Sequence, residues 1–305
     1  MCSSQCLIDR RKQGLRRPTK YRASLQLVAQ EYAIISVATS AADLPLSQAC
    51  AMIMTMKYAT VIFDFYGTVA TRDGKGLNLD ALLRERGHRL DASLAREYWQ
   101  EGFDGTTHDE ASQSRDHYTK WQRSRLLSLL DRSAVPTSTA AELAELLADP
   151  STRGSMVPYP ESHEVLAQLR GAGIQTAICS NWDWDLTEAI EASMLQDHFD
   201  FVVSSAWVGA RKPHARIFEH TINALGANPE TTLFVGDTWN CDVEGPSNHG
   251  LTPVYVRRPG REVDHTHPLH TTTDAVVGDV HVFEDLRPIV ELCTFPTKLG
   301  SNSNP

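Results

Sequence analysis

Short apolar runs alternate with segments of helical periodicity over the second half of the chain. Each run has four to six residues and is rich in β-branched and aromatic side chains, as buried parallel strands are. The predicted strands cover residues 174–179, 201–204, 232–235 and 252–256. The helical segments that accompany them cover residues 162–170, 185–194, 215–225 and 242–249. This alternation predicts an α/β fold, a doubly wound, Rossmann-like parallel sheet with helices on both faces.

An earlier apolar run, residues 59–63, ends abruptly on Asp64, and Gly67 follows three residues later. We expect this run to form another buried strand of the sheet. Open α/β sheets bind ligands at the carboxyl ends of their strands, and a glycine there allows a tight turn. Asp64 is therefore a candidate functional residue, although an Asp in such a position also commonly caps a turn.

Between this first strand and the rest of the predicted sheet lies a long stretch without any strand pattern. Its helical segments cover residues 79–85, 91–100, 110–130 and 139–147. A stretch of about eighty residues is too long for one ordinary crossover between parallel strands. We therefore expect a helical cap domain at residues 76–157, inserted into an α/β core formed by residues 57–75 and 158–295. The alternative is that these helices simply cover one face of the sheet.

Polar residues follow the other predicted strands or lie in the loops between them. They are Ser180, Asn181, Lys212, Asp237 and Asp242. Because the carboxyl ends of parallel strands lie at one edge of a sheet, we expect these side chains to lie near Asp64. Hydroxyl and backbone N–H groups bind phosphate oxygens, a lysine neutralises them, and paired carboxylates hold Mg²⁺. The set can bind a phosphate group and a divalent cation together.

These residues stand in four short motifs, DFYGT, SN, RKP and GDTWNCD, which occur in this order between Val61 and Asp242. The set of motifs resembles that of the haloacid dehalogenase superfamily of hydrolases. The resemblance implies a cap that closes over the active site and determines the choice of substrate. It also implies a covalent intermediate on Asp64, a Mg²⁺ cofactor and a small-molecule substrate.

Roles for individual residues follow from the resemblance and from their chemistry. The predicted catalytic residues are Asp64 as nucleophile, Lys212 as neutralising cation and Thr68 as a hydrogen-bond donor near the nucleophile. For Thr68, a hydroxyl that only stabilises the turn is an equal alternative. The predicted substrate-binding or phosphate-binding residues are Ser180, Asn181, Tyr66 and Gly67. The predicted metal ligands are Asp64, the backbone carbonyl of Tyr66, Asp237 and Asp242.

Tyr66 departs from the pattern of the family's phosphatases, which carry a second Asp two residues after the nucleophile. That Asp protonates the leaving alcohol, and a phenol is a far weaker acid for this step. A Tyr here resembles the metal-free 2-haloacid dehalogenases, whose halide leaving group needs no proton. Those enzymes lack the first acid of the fourth motif, which this chain keeps as Asp237. Other candidate proton donors in the chain are His108, Asp73 and Asp183.

Three functions stay open at this point. The favoured one is a Mg²⁺-dependent phosphatase of small molecules that forms an aspartyl phosphate. The second is a metal-free 2-haloacid dehalogenase with an ester intermediate on Asp64. The third is a non-catalytic binding protein. It is disfavoured because Asp64, Lys212 and Asp237 are all retained, and their charges would then serve no purpose.

Composition limits the partners of the chain. The formal net charge of −9 argues against general nucleic-acid binding. The weakly apolar segment at residues 25–39 is interrupted by polar residues and is too short to span a membrane. The six cysteines form no CxxC pair, which favours reduced thiols and a cytoplasmic location. A homodimer is compatible with the sequence but not required by it.

The two ends of the chain differ from the part between them. We expect residues 1–56 to be a disordered extension and residues 296–305 to be a disordered tail. Basic residues near the start leave a transit peptide as an alternative, and three methionines leave a later translation start, at Met52, Met54 or Met56. Before the tail, we expect a strand at residues 275–277 and a helix at residues 283–292.

Three further groups of residues have both a functional and a structural interpretation. Three histidines have a spacing that could hold a metal, but no periodicity organises them, and we expect an exposed loop. Four tryptophans beside the motifs either shape a substrate pocket or pack beneath the cap. Three arginines could bind a substrate carboxylate, and we favour a solvated helix face. The groups are His265, His267 and His270; Trp182, Trp184, Trp207 and Trp239; and Arg84, Arg86 and Arg89.

Overall fold

The computed structural model describes residues 57–74, 76–100, 107–261 and 280–294. Its strands are β1 (Thr60–Phe63), β2 (Ala70–Arg72), β3 (Met156–Pro158), β4 (Gln175–Ser180), β5 (Phe201–Ser204), β6 (Thr232–Gly236), β7 (Thr252–Val256) and β8 (His281–Phe283). Six of them form one sheet in the order β5-β4-β1-β6-β7-β8, with every neighbouring pair parallel. The predicted doubly wound α/β core is confirmed.

The helices lie between these strands in chain order. The α-helices are α1 (Leu79–Glu85), α2 (Ala92–Gln100), α3 (Arg115–Arg132), α4 (Thr137–Ala148), α5 (Ser162–Gly171), α6 (Leu186–Ala192), α7 (Ser205–Val208), α8 (Ala215–Leu225), α9 (Gly245–Ser247) and α10 (Arg287–Thr294). A π-helix, Trp239–Glu244, follows β6. Within the described ranges, no helix has both the length and the apolar character that crossing a membrane requires.

Helices cover both faces of the sheet, as the residues of β1 show. Val61 and Phe63 are fully buried in the cluster that contains side chains of α5, α6 and α10. Ile62 points the opposite way, into the cluster that contains side chains of α8. Each apolar side chain buried in this way contributes roughly 1.5–3 kcal/mol to folding. A run that is apolar on both faces therefore has its lowest free energy in the middle of the sheet.

The strand β1 lies between β4 and β6, so the order of the strands changes direction at this position. Phe63, its last residue, pairs with Ile178 on β4 and with Val235 on β6. The three strands run parallel and end at the same edge of the sheet. In open α/β sheets, ligands bind at this switch point. Asp64 follows β1 directly into it.

The four helices between β2 and β3 have a core of their own. Leu83, Leu130 and Leu143 are fully buried in one cluster, which is separate from the clusters that flank the sheet. The helix bounds lie within two residues of the predicted ones, except that α3 begins at Arg115 and not at residue 110, because a short 3₁₀ turn, Ala111–Gln113, precedes it. The stretch also packs through Tyr118 against Trp184 and Trp207, so the cap domain at residues 76–157 stays a prediction.

The antiparallel pair of β2 and β3 is not predicted by the sequence patterns. Ala70 pairs with Pro158, and Arg72 pairs with Met156. Each strand has three residues, which is too short a run for an alternating pattern to stand out. The pair holds together the two places at which the chain leaves the core for these helices and returns from them.

Two predicted helix boundaries in the α/β core are also wrong. The helix expected at residues 242–249 begins earlier, as the π-helix, because the backbone N–H of Asp242 bonds to the carbonyl of Thr238. The helix expected at residues 283–292 begins at Arg287, because the β-prone Phe283 ends β8. The expected strand at residues 275–277, the three histidines and both terminal segments lie outside the described residues.

Candidate active site

Asp64 is placed by the pairing of β1 with its neighbours. Its backbone N–H donates to the carbonyl of Val235 over 2.8 Å, so the pairing of β1 with β6 extends to this residue. The side chain is buried, and Oδ1 accepts a hydrogen bond of 2.8 Å from the hydroxyl of Ser180, the last residue of β4. Three adjacent strands thus position one carboxylate at the switch point.

Lys212 is a buried cation held between two carboxylates. Its ammonium group lies 2.8 Å from Asp64 Oδ1 and 2.6 Å from Asp242 Oδ1, and its side chain is 1% exposed. Burial lowers the pKa of Lys212, but the charges of Asp242 and Asp64 raise it by more, so the net direction is upward. Lys212 therefore stays protonated and stabilises two carboxylates in the protein interior.

Asn181 positions Lys212 through the backbone. Its Nδ2 donates to the carbonyl of Lys212 over 3.0 Å, and its Oδ1 accepts from the N–H of Lys212 over 2.7 Å. Both ends of the amide are therefore used inside the protein. Phosphate binding by Asn181 stays a prediction, now for its backbone N–H alone.

Two cysteines pack beside this loop. The thiol of Cys241 donates to the carbonyl of Lys212 over 3.3 Å, and Cys179 is fully buried on β4. Burial raises the pKa of Cys179 to about 12 and that of Cys241 well above its usual value. Neither thiol is therefore ionised, or a nucleophile, at neutral pH.

The carboxylates of Asp64, Asp237 and Asp242 have oxygens within 4.8 Å of one another. Burial, and then the charge of Asp64, raises the pKa of Asp237 to about 8. Burial also raises the pKa of Asp242 to about 6, against the effect of Lys212. Like charges repel strongly at this distance in a site with little water, and a divalent cation would offset that repulsion.

The oxygens of the cluster fit Mg²⁺, which binds one or two carboxylates together with waters. Asp64 Oδ2 and Asp237 Oδ1 accept no hydrogen bond from any residue that the structure describes. Both oxygens of Asp242 are already engaged, Oδ1 by Lys212 and Oδ2 by the N–H of Thr238 at 2.9 Å. The geometry therefore favours Asp64 and Asp237 as direct ligands, with Asp242 as the anchor of Lys212.

Two glycines let these groups approach one another. A Cβ on Gly236 would lie 2.3 Å from Cγ of Asp242. Gly67 has a φ of +92°, and a Cβ there would lie 2.1 Å from Asp237 Oδ2. Both positions need glycine because backbone and carboxylate are in direct contact. The predicted role of Gly67 in binding is therefore open to its backbone only.

The turn after Asp64 places one side chain inside the protein and another at its surface. Thr68 is fully buried, and its Oγ1 has no hydrogen-bond partner in the described part of the chain. Its hydroxyl thus makes neither a hydrogen bond to Asp64 nor one that stabilises the turn, and a role of Thr68 in catalysis stays a prediction. Tyr66 is 38% exposed, and its ring centroid lies 6.4 Å from that of Trp182.

A buried ion pair that the sequence reasoning missed supports this turn. Arg258 lies 2.8 Å from Glu161 Oε1, and both side chains are almost fully buried. The same guanidinium donates to the carbonyls of Gly67 and Thr68 and packs on the ring of Tyr159. Arg258 therefore positions the turn that carries Tyr66.

Arg261 is a second cation that the sequence reasoning missed. Its Nη1 lies 3.2 Å from Asp237 Oδ2, and its guanidinium lies 4.9 Å from the centroid of the Tyr66 ring. Arg258 and Arg261 belong to the basic segment RRPGR that follows β7, whose carboxyl end lies at the same edge of the sheet. Their position after a strand is the sequence signal that could have identified both arginines as site residues.

The three candidate proton donors have other partners. His108 is stacked on Trp121 and faces the carbonyl of Ser205, and burial lowers its pKa to about 4, so at neutral pH it is a neutral imidazole and not a general acid. Asp73 accepts from the N–H of Ser155. Asp183 accepts a 2.7 Å hydrogen bond from Gln122 on α3. None of these contacts places an acid beside Asp64.

The tryptophans divide between the two interpretations. Trp184 and Trp207 pack with Tyr118 of α3, beneath the helical stretch. Trp239 is buried against Tyr255. Trp182 lines a cavity, and its ring faces Phe65 and Tyr66. The arginines of the first helical segment are solvated: Arg84 and Arg86 pair with Asp80 and Glu142, and Arg89 is exposed.

The contact at Gly236 predicts the effect of a methyl group. Gly236→Ala should lower the free energy of unfolding by about 1–3 kcal/mol, because Asp242 must move away from Lys212. The measurement is urea denaturation followed by circular dichroism. Gly171→Ala is the matched control, since a Cβ there meets nothing within 4 Å. Equal effects of the two substitutions would contradict the contact.

The buried pair predicts a second stability effect. Arg258→Met should cost roughly 3–5 kcal/mol, because it leaves the Glu161 carboxylate buried without its partner. Adding Glu161→Gln should recover part of this loss in the same denaturation experiment. Arg287→Met, which removes an exposed partner of Asp285, is the control and should change stability little. A double variant no more stable than Arg258→Met would contradict the role of the buried charge.

Comparison with curated proteins finds phosphatases among the relatives of the chain. A glyceraldehyde 3-phosphate phosphatase of Methanothermobacter thermautotrophicus is 30% identical over 126 residues, 40% of this chain and 54% of the relative. A phosphoserine phosphatase of Thermus thermophilus is 33% identical over 152 residues, 50% of this chain and 59% of the relative. The chain thus spans about half the length of the curated relatives it matches.

A solved structure shares the fold, and a sequence profile shows the family. The crystal structure of a 2-haloacid dehalogenase from Pseudomonas syringae matches with a TM-score of 0.52 and 17% identity, over 77% of this chain and 97% of that one. At this identity, the likeness concerns the fold alone. The profile described as haloacid dehalogenase-like hydrolase matches residues 58–250, which is more than half of the chain. The chain therefore belongs to the haloacid dehalogenase-like hydrolase family.

Proposed function

We propose that this protein is a Mg²⁺-dependent hydrolase of small phosphate monoesters that works through an aspartyl phosphate on Asp64. The observation that carries the proposal is the cluster of Asp64, Asp237 and Asp242 around one buried lysine. A haloacid dehalogenase that works without metal has no use for the acid at Asp237. The phosphatases among the relatives point in the same direction.

The metal would be held by Asp64 and Asp237, with the backbone carbonyl of Tyr66 as the third ligand implied by the family. A bound Mg²⁺ supplies charge neutralisation between these acids and the phosphoryl oxygens of the substrate. Without it, two buried carboxylates would repel a dianionic substrate. Two of their oxygens lack any hydrogen-bond donor among the described residues, which leaves them available for a cation.

Asp64 then acts as the nucleophile. One carboxylate oxygen forms a bond to phosphorus as the bond from phosphorus to the leaving oxygen breaks, and water later opens the aspartyl phosphate to release inorganic phosphate. Lys212 and Ser180 both bind Oδ1, which orients the carboxylate. Lys212 also supplies positive charge next to the attacked group.

Tyr66 limits the substrates that this site handles well. The leaving alkoxide has to take a proton from water, because Tyr66 stands where the family's phosphatases carry an acid. An exposed ring stands there, in contact with Trp182 and Arg261. We therefore expect fast turnover for good leaving groups and slow turnover for simple alcohols. We place the reaction in the cytoplasm, where the free, buried Cys179, Cys241 and Cys293 stay reduced.

The first functional prediction concerns the nucleophile and the metal. The full chain should hydrolyse p-nitrophenyl phosphate with Mg²⁺ and lose this activity in EDTA. Asp64→Asn should lower the rate by at least about 10³-fold, because an amide does not attack phosphorus. The control is Asp80→Asn, which removes an exposed carboxylate of α1 and should leave the rate unchanged.

Two results would overturn this proposal. Phosphate release that persists in EDTA would remove the metal from the reaction. Absence of any release would exclude the phosphatase, and chloride release from 2-chloropropionate in EDTA would then establish the dehalogenase alternative, which Tyr66 favours because a halide needs no proton. Absence of both activities would leave the non-catalytic binding protein.

A second functional prediction concerns the missing acid. Tyr66→Asp should raise the rate with an alkyl substrate such as glycerol 3-phosphate by roughly 10²-fold or more, because the new carboxylic acid protonates the leaving alcohol. The rate with p-nitrophenyl phosphate should change little. Tyr66→Asn has the same shape as Tyr66→Asp but donates no comparable proton, so it should give no gain. Equal effects of the two variants on the alkyl substrate would show that the acid is not what limits turnover.

A further inference from the structure

A cavity of about 490 Å³ lies beside the proposed active site. It is formed by the β2–β3 pair, the 3₁₀ turn Pro150–Arg153 and the helix α6. Its wall on the side of the active site is Trp182, which follows Ser180 and Asn181 in the chain. A volume of this size is in the range that holds small-molecule ligands.

Arg72 is the cation of this cavity that makes no direct ion pair, although the carboxylates of Asp185 and Asp183 lie near enough to act on its charge. Its guanidinium lies over the ring of Trp182, with Cζ 5.5 Å from the centroid, and donates one hydrogen bond to the carbonyl of Arg153. No carboxylate of a described residue lies within 4.0 Å of it. Burial, and then the nearby charge of Arg153, lowers the pKa of Arg72. A half-buried guanidinium with most of its five N–H donors unused is stabilised by an anion.

The acids that line the same cavity are engaged elsewhere. Asp185 lies 2.8 Å from Arg153 and accepts a 3.0 Å hydrogen bond from the indole of Trp182. Glu188 pairs with Arg115 of α3. Asp73 accepts from the backbone N–H of Ser155. The cavity is thus polar, and Arg72 is its cation without a direct ion pair.

Trp182 connects this cavity with the reacting groups. One part of its side chain lines the cavity, and its ring lies 5.4 Å from that of Phe65 and 6.4 Å from that of Tyr66, between centroids. Phe65 and Tyr66 follow the nucleophile Asp64 directly. The side chain of Trp182 would therefore separate an anion bound at Arg72 from the turn that contains Phe65 and Tyr66.

We propose that Arg72 and Trp182 form a binding subsite for an anionic group, a carboxylate or a phosphate, of a small-molecule ligand. The guanidinium supplies a charged fork for the anion, and the indole fixes the plane of that fork. The anion has two sources: the far end of the substrate itself, or a separate small acid. As a statement about substrates, the inference rests on the proposed phosphatase function; as a statement about anion binding, it does not.

The test compares two phosphate monoesters on the same three-carbon skeleton. 3-Phosphoglycerate carries a carboxylate where glycerol 3-phosphate carries a CH₂OH group. If the anion belongs to the substrate, the wild-type protein should prefer 3-phosphoglycerate in kcat/KM. Arg72→Gln should then lower kcat/KM for 3-phosphoglycerate by about tenfold or more, and change it less than about twofold for glycerol 3-phosphate and p-nitrophenyl phosphate.

Arg84→Gln is the matched control, because it makes the same change at an exposed arginine of α1 and should alter none of the three substrates. A loss that is equal for all three substrates in Arg72→Gln would show a structural role only and overturn the inference. Circular dichroism of the two variants gives the fraction folded, against which each rate is normalised.

A binding experiment separates the two sources of the anion and does not need turnover. Calorimetric titration with malonate and with inorganic phosphate should give binding to the full-length protein that Arg72→Gln weakens at least about tenfold and Arg84→Gln does not. Competition between malonate and 3-phosphoglycerate assigns the subsite to the substrate, and binding of both together assigns it to a separate acid. No binding that depends on Arg72, in either the rates or the titrations, overturns the subsite. If p-nitrophenyl phosphate is not hydrolysed at all, the proposed function fails while the titrations still decide the subsite.

Discussion

One buried ammonium group holds the active site of this protein together. Lys212 lies between Asp64 and Asp242 with almost no exposure to water, and its charge stabilises two carboxylates that repel each other. Removal of Lys212 would leave both carboxylates in the interior without this partner, where their desolvation is not compensated. The other features of the site serve this triad: the amide of Asn181 clamps the backbone of the lysine, and Gly236 lets Asp242 come close. Stability and chemistry here depend on the same atoms.

Much of this arrangement could be predicted, because the relevant information is local in the chain. An apolar run that ends on a carboxylate reports both a buried strand and the end at which ligands bind, and this holds for Asp64 and Asp237. The spacing of the leucines between β2 and β3 indicates the helices of that stretch. The position of Lys212 could not be predicted from periodicity, because its loop has none. Only the motif around it indicated a role. That it pairs with Asp64 and Asp242 at once depends on the register between strands and on the π-helix, which no local pattern reports.

The features that escaped prediction are those whose partners lie far apart in the sequence. Arg258 and Glu161 look like two ordinary surface residues until the fold buries them against each other beneath the turn at Gly67. A role of Arg261 in the site follows only from its distance to Asp237. The opposite error occurs at His108, which has the right chemistry for a proton donor but lies buried against Trp121, with its pKa lowered to about 4 by burial. Burial and long-range pairing are properties of the folded chain, and they decide which polar residues can take part in the chemistry.

The short pair of β2 and β3 has a consequence for how such a protein changes over time. The chain leaves the sheet through β2 and comes back through β3, and the two strands are hydrogen-bonded to each other. The two covalent connections between the helical stretch and the core therefore lie side by side, and the apolar cluster around Leu83, Leu130 and Leu143 is separate from the clusters that flank the sheet. Substitutions within that cluster can accumulate over generations while the carboxylates and the lysine keep their places.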